Sequence, residues 1–176
     1  MMRQTKTFHS QFKKKEAALQ KYNSYGNEWE KAYFDEVSGG FNVYHRKHQF
    51  TEEGGGGKAE KIVGEILAKY NGKHVEFLPE GGEKSADVKF DSQTWDIKYI
   101  DNANEETIRT AIRDARKADN AIFYFTEESK SVFLNNAIKR EAGRFSKGQI
   151  STMPDIYGIN ENGLLKLLWG KQKGTM

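Results

Sequence analysis

From residue 59 onward, apolar residues recur at helical or strand-like spacing. Residues 59–70 carry an apolar side chain every three or four positions, and Asn71-Gly72 follows as a helix stop. Residues 74–78 read as a short strand that ends at a proline. Two further strand-like runs, 86–90 and 94–99, flank a polar turn. The pattern therefore predicts one helix followed by a strand and a β-hairpin.

The remaining C-terminal pattern continues this alternation of helices and strands. Residues 104–117 begin with acidic side chains, end with basic ones and carry an apolar stripe, which predicts a helix. Residues 121–125 are almost wholly apolar, as in a buried central strand. Residues 132–145 predict another helix, and 156–169 a closing hairpin. This order favours an α/β fold with a mixed central sheet flanked by helices.

The first third of the chain is less regular. Residues 10–37 predict a helical region. Asn23-Ser-Tyr-Gly26 is a potential break that would divide it into two helices. Residues 41–50 alternate enough for a strand or an extended arm, and four glycines at 54–57 form a flexible joint. We therefore predict a helical N-terminal extension over residues 1–57 and an α/β domain over 58–176.

Composition narrows the functional classes. The chain has 176 residues, of which 36% are hydrophobic and 30% charged, so it can bury a core. A net charge of +3 permits a nucleic-acid partner. Cysteine is absent, which excludes disulfides and thiolate metal sites. No apolar run approaches the ~20 residues of a membrane span, and the start of the chain lacks a secretory h-region. We expect no membrane association and a bacterial cytoplasmic location.

Candidate chemistry lies on the central hairpin. Side chains alternate along a strand, so Asp96 and Lys98 project on the same side, and the hairpin brings Asp87 near Asp96. Two carboxylates and an ammonium suit a hard divalent cation such as Mg²⁺ and a phosphodiester. Glu60 or Glu65, at the border of the apolar face of the first predicted helix, offers a third carboxylate. The alternative is a solvated strand face with surface ion pairs.

The order of these residues resembles the PD-(D/E)xK nuclease superfamily. Its core runs helix, three strands, helix and strand, with a glutamate on the helix, an aspartate opening the second strand and Asp-x-Lys on the third. Ala86 stands where the family motif has proline. The resemblance implies a metal-dependent nuclease core. The matching catalytic positions are Glu60 or Glu65, Asp87, Asp96 and Lys98, of which Asp87, Asp96 and Glu60 would hold the metal.

Residues 58–126 resemble more closely the tRNase domains at the C-termini of contact-dependent growth-inhibition toxins and related phage and mobile-element proteins. The segments that carry this likeness are KAEKIVGEILAK, GKHVEFLPE, KSADVKFDSQTWDIK and IRDARKADNAIFYF. The likeness implies cleavage of tRNA, an immunity protein as partner and delivery into the cytoplasm of a target cell. In some of these toxins the following helix supplies the catalytic lysine, which makes Lys117 an alternative to Lys98. Some similar-looking domains are instead barnase-like, metal-free ribonucleases.

Other basic residues fit more than one interpretation. His45 and His48 favour a phosphate-contacting arm over a zinc site, and a plain surface segment is favoured over both. In a metal-free ribonuclease they would be the acid and base. Arg113, Arg140 and Arg144 suit contacts with RNA phosphates or a solvated helix face. A third alternative is an interaction protein of a phage or mobile element that keeps the fold without catalysis. In that protein the acidic and basic residues form only ion pairs.

Overall fold

Eight strands form one mixed sheet whose spatial order follows the chain order, β1 to β8. A computed structural model describes residues 2–50, 56–81, 86–100, 104–125 and 131–171. The helices are α1 Met2–Ser24, α2 Gly56–Asn71, α3 Glu105–Asp114 and α4 Ser131–Ser146, and a 3-10 turn, Ala115–Lys117, follows α3. The strands are β1 Trp29–Phe34, β2 Phe41–His45, β3 His74–Phe77, β4 Val88–Phe90, β5 Gln93–Ile100, β6 Asn120–Phe125, β7 Asp155–Ile159 and β8 Leu165–Trp169.

The predicted α/β fold with a mixed central sheet is confirmed. β5, β6 and β7 are parallel neighbours, β2 and β3 also pair in parallel, and the other pairs are antiparallel. α2 packs on one face of the sheet, with Val63 and Leu67 fully buried against Trp95 and Ile97. α3 and α4 cover the opposite face in a second core cluster. The sheet is therefore sandwiched between helices at its centre.

The prediction of a helical region over residues 10–37 is wrong beyond Ser24. Residues Trp29–Phe34 form β1, which pairs with β2 in antiparallel fashion. Alternating side chains and a partner strand outweigh local helical preference here. Both strands of the predicted extension thus belong to the same sheet as the rest of the chain. Gly56 and Gly57 lie in the first turn of α2, whereas Gly54 and Gly55 of the expected joint lie outside the described residues.

The β4–β5 hairpin fixes the geometry on which the candidate site depends. Asp91 and Ser92 both have positive φ, 51° and 62°. Two such residues form a type I′ turn, whose twist matches that of the flanking strands. The turn sets Val88 opposite Trp95. Because side chains alternate along each strand, this register decides which polar residues share a face.

Close packing of β2 against α2 predicts a specific sensitivity to an added methyl group. A Cβ at Gly40 would lie 2.0 Å from the Ala68 carbonyl oxygen, whereas a Cβ at Gly143 would meet nothing within 4 Å. We expect Gly40→Ala to destabilise the protein by about 1–3 kcal/mol, as overpacking does. Gly143→Ala, within α4, should stabilise it by about 0.5–1 kcal/mol. Urea unfolding of both variants checks this, and equal stabilities would contradict the packing described.

Candidate active site

Two carboxylates meet beside the β4–β5 hairpin. Asp87 immediately precedes β4 and its Oδ2 accepts a hydrogen bond from the Ile97 backbone N–H at 3.0 Å. Asp96, in the middle of β5, is completely buried and interacts with the Asp87 side chain. The hairpin thus brings Asp87 and Asp96 together, as its register predicted. We call these two residues the carboxylate pair.

Two lysines reach the carboxylate pair from different elements. Lys98 lies two residues along β5, and its Nζ is 2.8 Å from Asp96 Oδ2. Lys117 ends the 3-10 turn, and its Nζ is 3.2 Å from Asp87 Oδ1 and 3.6 Å from Asp96 Oδ1. Both lysine side chains remain partly exposed, at 22% and 29%. Both candidate lysines are therefore at the site, and their ammonium groups connect its buried carboxylates to solvent.

Burial and nearby charges shift the pKa values of the two acids in opposite directions. Burial, followed by the interaction with Asp87, raises the pKa of Asp96 to about 8. Burial also acts on Asp87, but its interactions with Asp96, Lys117 and Lys98 lower its pKa below the ordinary value. The two carboxylates in turn raise the pKa of Lys117 against the effect of burial. The pKa of Asp96 therefore lies above its ordinary value and that of Asp87 below it, so the two acids lose their protons at different pH.

The carboxylate pair fits a hard divalent cation. Neither oxygen of Asp96 receives a well-aligned hydrogen bond, although both are fully buried. Buried acceptors are costly unless something compensates them. The ammonium groups of Lys98 and Lys117, at 2.8 and 3.6 Å from these oxygens, already do so in part, and a divalent cation would be a further partner. Within the described residues no group of three or more histidine, cysteine, aspartate or glutamate side chains is arranged to hold a metal. Two carboxylates suffice for Mg²⁺ when waters and substrate phosphates complete its coordination.

The two glutamates of α2 do not join the carboxylate pair. Glu60 Oε2 lies 3.1 Å from His48 Nε2. Glu65 is exposed, and its electrostatic neighbours are Tyr33 and Tyr44, near the β1–β2 end of the sheet. α2 lies on the face of the sheet opposite to the one on which Asp96 projects. A role for Glu60 or Glu65 at the metal stays a prediction.

The two histidines of the predicted basic arm have different environments. His45 ends β2, and its Nδ1 accepts a hydrogen bond from the Lys47 backbone N–H at 3.1 Å. The His48 side chain is only 4% exposed, with Nδ1 at 2.7 Å from the Leu78 carbonyl and Nε2 facing Glu60. Since both ring nitrogens face oxygen acceptors, both must carry protons, so His48 is an imidazolium when Glu60 is ionised. These contacts leave His48 no ring nitrogen for a phosphate.

The three arginines predicted to contact RNA are all engaged in ion pairs. Arg113 pairs with Glu106, Arg140 with Glu105 and Arg144 with Glu141. They lie on α3 and α4, on the same face of the sheet as Asp96. Contact with RNA stays a prediction for each of them.

Sequence reasoning missed Glu141, a fully buried carboxylate on α4 that three arginines surround. The signal was present in the sequence. Leu134, Ala137 and Ile138 define the apolar face of α4, and Glu141 is the next position on that face. An acidic residue at a core position requires partners, and the basic residues of the preceding helix supply them.

Comparison with known proteins adds little to this geometry. No protein-family model matches the chain, and neither does any curated protein. One similar solved structure is the "CdiA-CT/CdiI toxin and immunity complex from Burkholderia pseudomallei", with 16% sequence identity and a TM-score of 0.48. The match covers 71% of this chain and 96% of that chain. A likeness this weak assigns neither family nor activity, and membership of the PD-(D/E)xK superfamily stays a prediction. None of the described helices is long and apolar enough to span a membrane.

Titration of the histidines tests the environment of His48. Burial alone would lower its pKa, but hydrogen bonds to Glu60 and Leu78 raise it above 6.5. Burial and the Lys21 charge lower the pKa of His74, which serves as the internal comparison. NMR titration should therefore give midpoints on opposite sides of 6.5. The stabilising contribution of His48 should be complete below pH 6.5 and lost as pH rises through its folded-state pKa. A His48 midpoint below that of His74 would contradict the pairing.

Replacing Asp96 by asparagine should change how stability depends on pH. The native state keeps a proton on Asp96 from pH 3.8 to about 8, whereas the unfolded chain loses it near 3.8. The contribution of Asp96 to the stability of the native protein therefore falls with rising pH across this window. Asp96→Asn mimics the protonated acid, so its advantage over the wild type should grow across the window and exceed about 1 kcal/mol near pH 8. Urea unfolding at several pH values measures this. Asp91→Asn, at the exposed turn, is the control, and parallel profiles for Asp96→Asn and wild type would refute the assignment.

Proposed function

We propose that this protein is a metal-dependent endonuclease that cleaves RNA. The carboxylate pair carries this proposal: Asp96 has two buried oxygens without well-aligned donors, and Asp87 adjoins it. Lys98 and Lys117 flank the pair and extend towards solvent. Acidic oxygens for a cation beside ammonium groups for a phosphate form a set suited to phosphodiester cleavage.

Each residue has a distinct task in the proposed reaction. Asp87 and Asp96 would hold Mg²⁺, which when bound supplies Lewis-acid activation of water and offsets phosphate charge. Lys98 and Lys117 place positive charge where the phosphate oxygens gain negative charge in the transition state. In hydrolysis, water adds to phosphorus while the bond to the leaving ribose oxygen breaks, and that oxygen takes up a proton. Asp96 must release its own proton before it can serve as a ligand, so its high pKa makes cation binding favour alkaline pH.

The proposed substrate and biological role are narrower. We propose tRNA as the substrate and a toxin-like effector as the role, with delivery into a target cell's cytoplasm and an immunity protein that covers the site. This part depends on the resemblance of residues 58–126 to toxin tRNase domains.

The two alternatives make different use of the same residues. A metal-free ribonuclease would employ His45 and His48, but both ring nitrogens of His48 are already engaged with protein oxygens. A non-catalytic interaction protein would keep Asp87, Asp96, Lys98 and Lys117 as an ion-pair cluster, which carries no net charge when all four are ionised. The cleavage assay separates these alternatives from the proposal.

Cleavage of total tRNA by the purified chain, with Mg²⁺ and with EDTA, tests the proposed function. We expect cleavage that requires Mg²⁺ and falls by about 10²-fold or more in Asp87→Asn and in Asp96→Asn, the scale of losing a principal electrostatic catalyst. Lys98→Met and Lys117→Met identify which lysine acts in the transition state. Asp91→Asn is the matched control, because Asp91 is an exposed acid of the same hairpin that pairs with Lys73.

The other outcomes each contradict the proposal. Undiminished cleavage in EDTA would show that the reaction needs no divalent cation and would support the metal-free mechanism. Cleavage that survives in Asp87→Asn and Asp96→Asn would exclude the carboxylate pair as the site. A folded protein that cleaves neither RNA nor DNA would leave the interaction protein as the better description.

A further inference from the structure

We propose that Glu141 is a positioning residue that holds Lys117 at the carboxylate pair by fixing Arg116 in the 3-10 turn. This inference deepens the proposed function and rests on it, because it explains how the candidate catalytic lysine is placed. The structural basis lies outside the carboxylate pair, in α4 and in the turn that follows α3.

Glu141 is the centre of a buried ion cluster. Its side chain is completely buried. Arg109 Nε lies 3.0 Å from Glu141 Oε1. Arg116 Nη2 and Arg144 Nη1 lie 2.9 Å and 3.2 Å from Glu141 Oε2. A buried carboxylate requires such partners, and charge-assisted hydrogen bonds hold them in a defined direction. The carboxylate therefore fixes the guanidinium groups as much as they neutralise it.

Burial, one backbone hydrogen bond and ion pairs constrain the 3-10 turn, whose first residue, Ala115, is completely buried in the core cluster of α3 and α4. Asp114 precedes it without a side-chain cap, and the turn closes with a 3.2 Å hydrogen bond from the Ala118 N–H to the Ala115 carbonyl. Arg116 and Lys117 are consecutive in this turn, yet one reaches Glu141 on α4 and the other reaches Asp87 before β4. These two ion pairs act on the turn together with the burial of Ala115.

Arg116 is not placed for maximal stability. Its Nε is buried without a hydrogen-bond partner, which is unfavourable for a donor removed from water. Only the contact with Glu141 gives its guanidinium an ion-pair partner among the described residues. The contact with Glu141 neutralises a buried carboxylate and at the same time holds the backbone next to Lys117.

A competing anchor lies just beyond the turn. Asp119 Oδ2 accepts hydrogen bonds from the Thr94 N–H at 3.0 Å and from its hydroxyl at 2.8 Å. Asp119 also donates its N–H to the Thr94 hydroxyl. This contact ties the chain to the start of β5 two residues after Lys117. If it is sufficient to hold the turn, the arginine is dispensable for the position of Lys117, so the experiment must separate the two anchors.

The test measures the reactivity of the Lys117 amine without any substrate. An N-hydroxysuccinimide ester acylates unprotonated amines, and peptide mass spectrometry gives the rate at Lys117 relative to exposed Lys89. In Arg116→Gln, Lys117 should leave the carboxylates at 3.2 and 3.6 Å and become more accessible, so its acylation should accelerate relative to Lys89. Arg109→Gln is the matched control, since it also removes one arginine from Glu141 but leaves the 3-10 turn unchanged.

The outcomes distinguish the inference from the proposed function. An unchanged rate of Lys117 acylation in Arg116→Gln would overturn the inference. It would show that the contact between Asp119 and Thr94 is sufficient to hold the turn. Equal acceleration in Arg109→Gln would also overturn it, because the effect would not pass through Arg116. Arg116→Lys, which keeps the charge beside Glu141, should give an intermediate rate and provides a second variant if Arg116→Gln does not fold.

Cleavage kinetics provide the link to function. Arg116→Gln should lower kcat while leaving KM for tRNA nearly unchanged, since a positioning residue touches no substrate. Acylation as expected in a protein that cleaves no nucleic acid would uphold the positioning role and refute the nuclease. A rise in KM alone would instead make Arg116 a substrate contact and contradict the inference.

Discussion

The burial of one carboxylate, that of Asp96, governs the arrangement of the whole site. An ionised group inside a sheet is unfavourable unless charges of the opposite sign lie close to it. Lys98 reaches it from the same strand and Lys117 from the next connection. Both amines end near the surface, so the buried acid is linked to solvent through its partners. The site thus combines two carboxylates with two ammonium groups, and its two amines remain in contact with solvent.

The face of the sheet that carries Asp96 is organised by two buried acids. Asp96 lies on the sheet itself, and Glu141 lies on the helix that covers it. Each is surrounded by cations, and the 3-10 turn provides one cation to each of them through consecutive residues. The opposite face of the sheet is a conventional apolar core with α2. The helices that cover the Asp96 face are therefore held by ion pairs as well as by apolar contacts, whereas the α2 side is mainly apolar and includes the His48–Glu60 pair.

Local pattern predicted the central features because local geometry determines them. The period of two placed Asp96 and Lys98 together, and the hairpin turn added Asp87. The position of Lys117 depends on a single 3-10 turn, which no periodicity in the sequence predicts. The sequence therefore identifies Lys117 only as an alternative to Lys98. The pairing of Glu60 with His48 joins segments separated by the glycine-rich stretch, and no periodicity encodes that contact. The local pattern predicts helix at Trp29–Phe34, because the strand there depends on pairing with β2, which local spacing does not encode.

The order of the strands has a consequence for how the site forms. Each strand lies beside its neighbour in sequence, so the sheet can grow from one strand to the next without waiting for a distant segment. Both carboxylates and both lysines come from residues 87–117. These four side chains need only the β4–β5 hairpin and the 3-10 turn to lie close together. The contact of Arg116 with Glu141 also needs α4, which follows later in the chain.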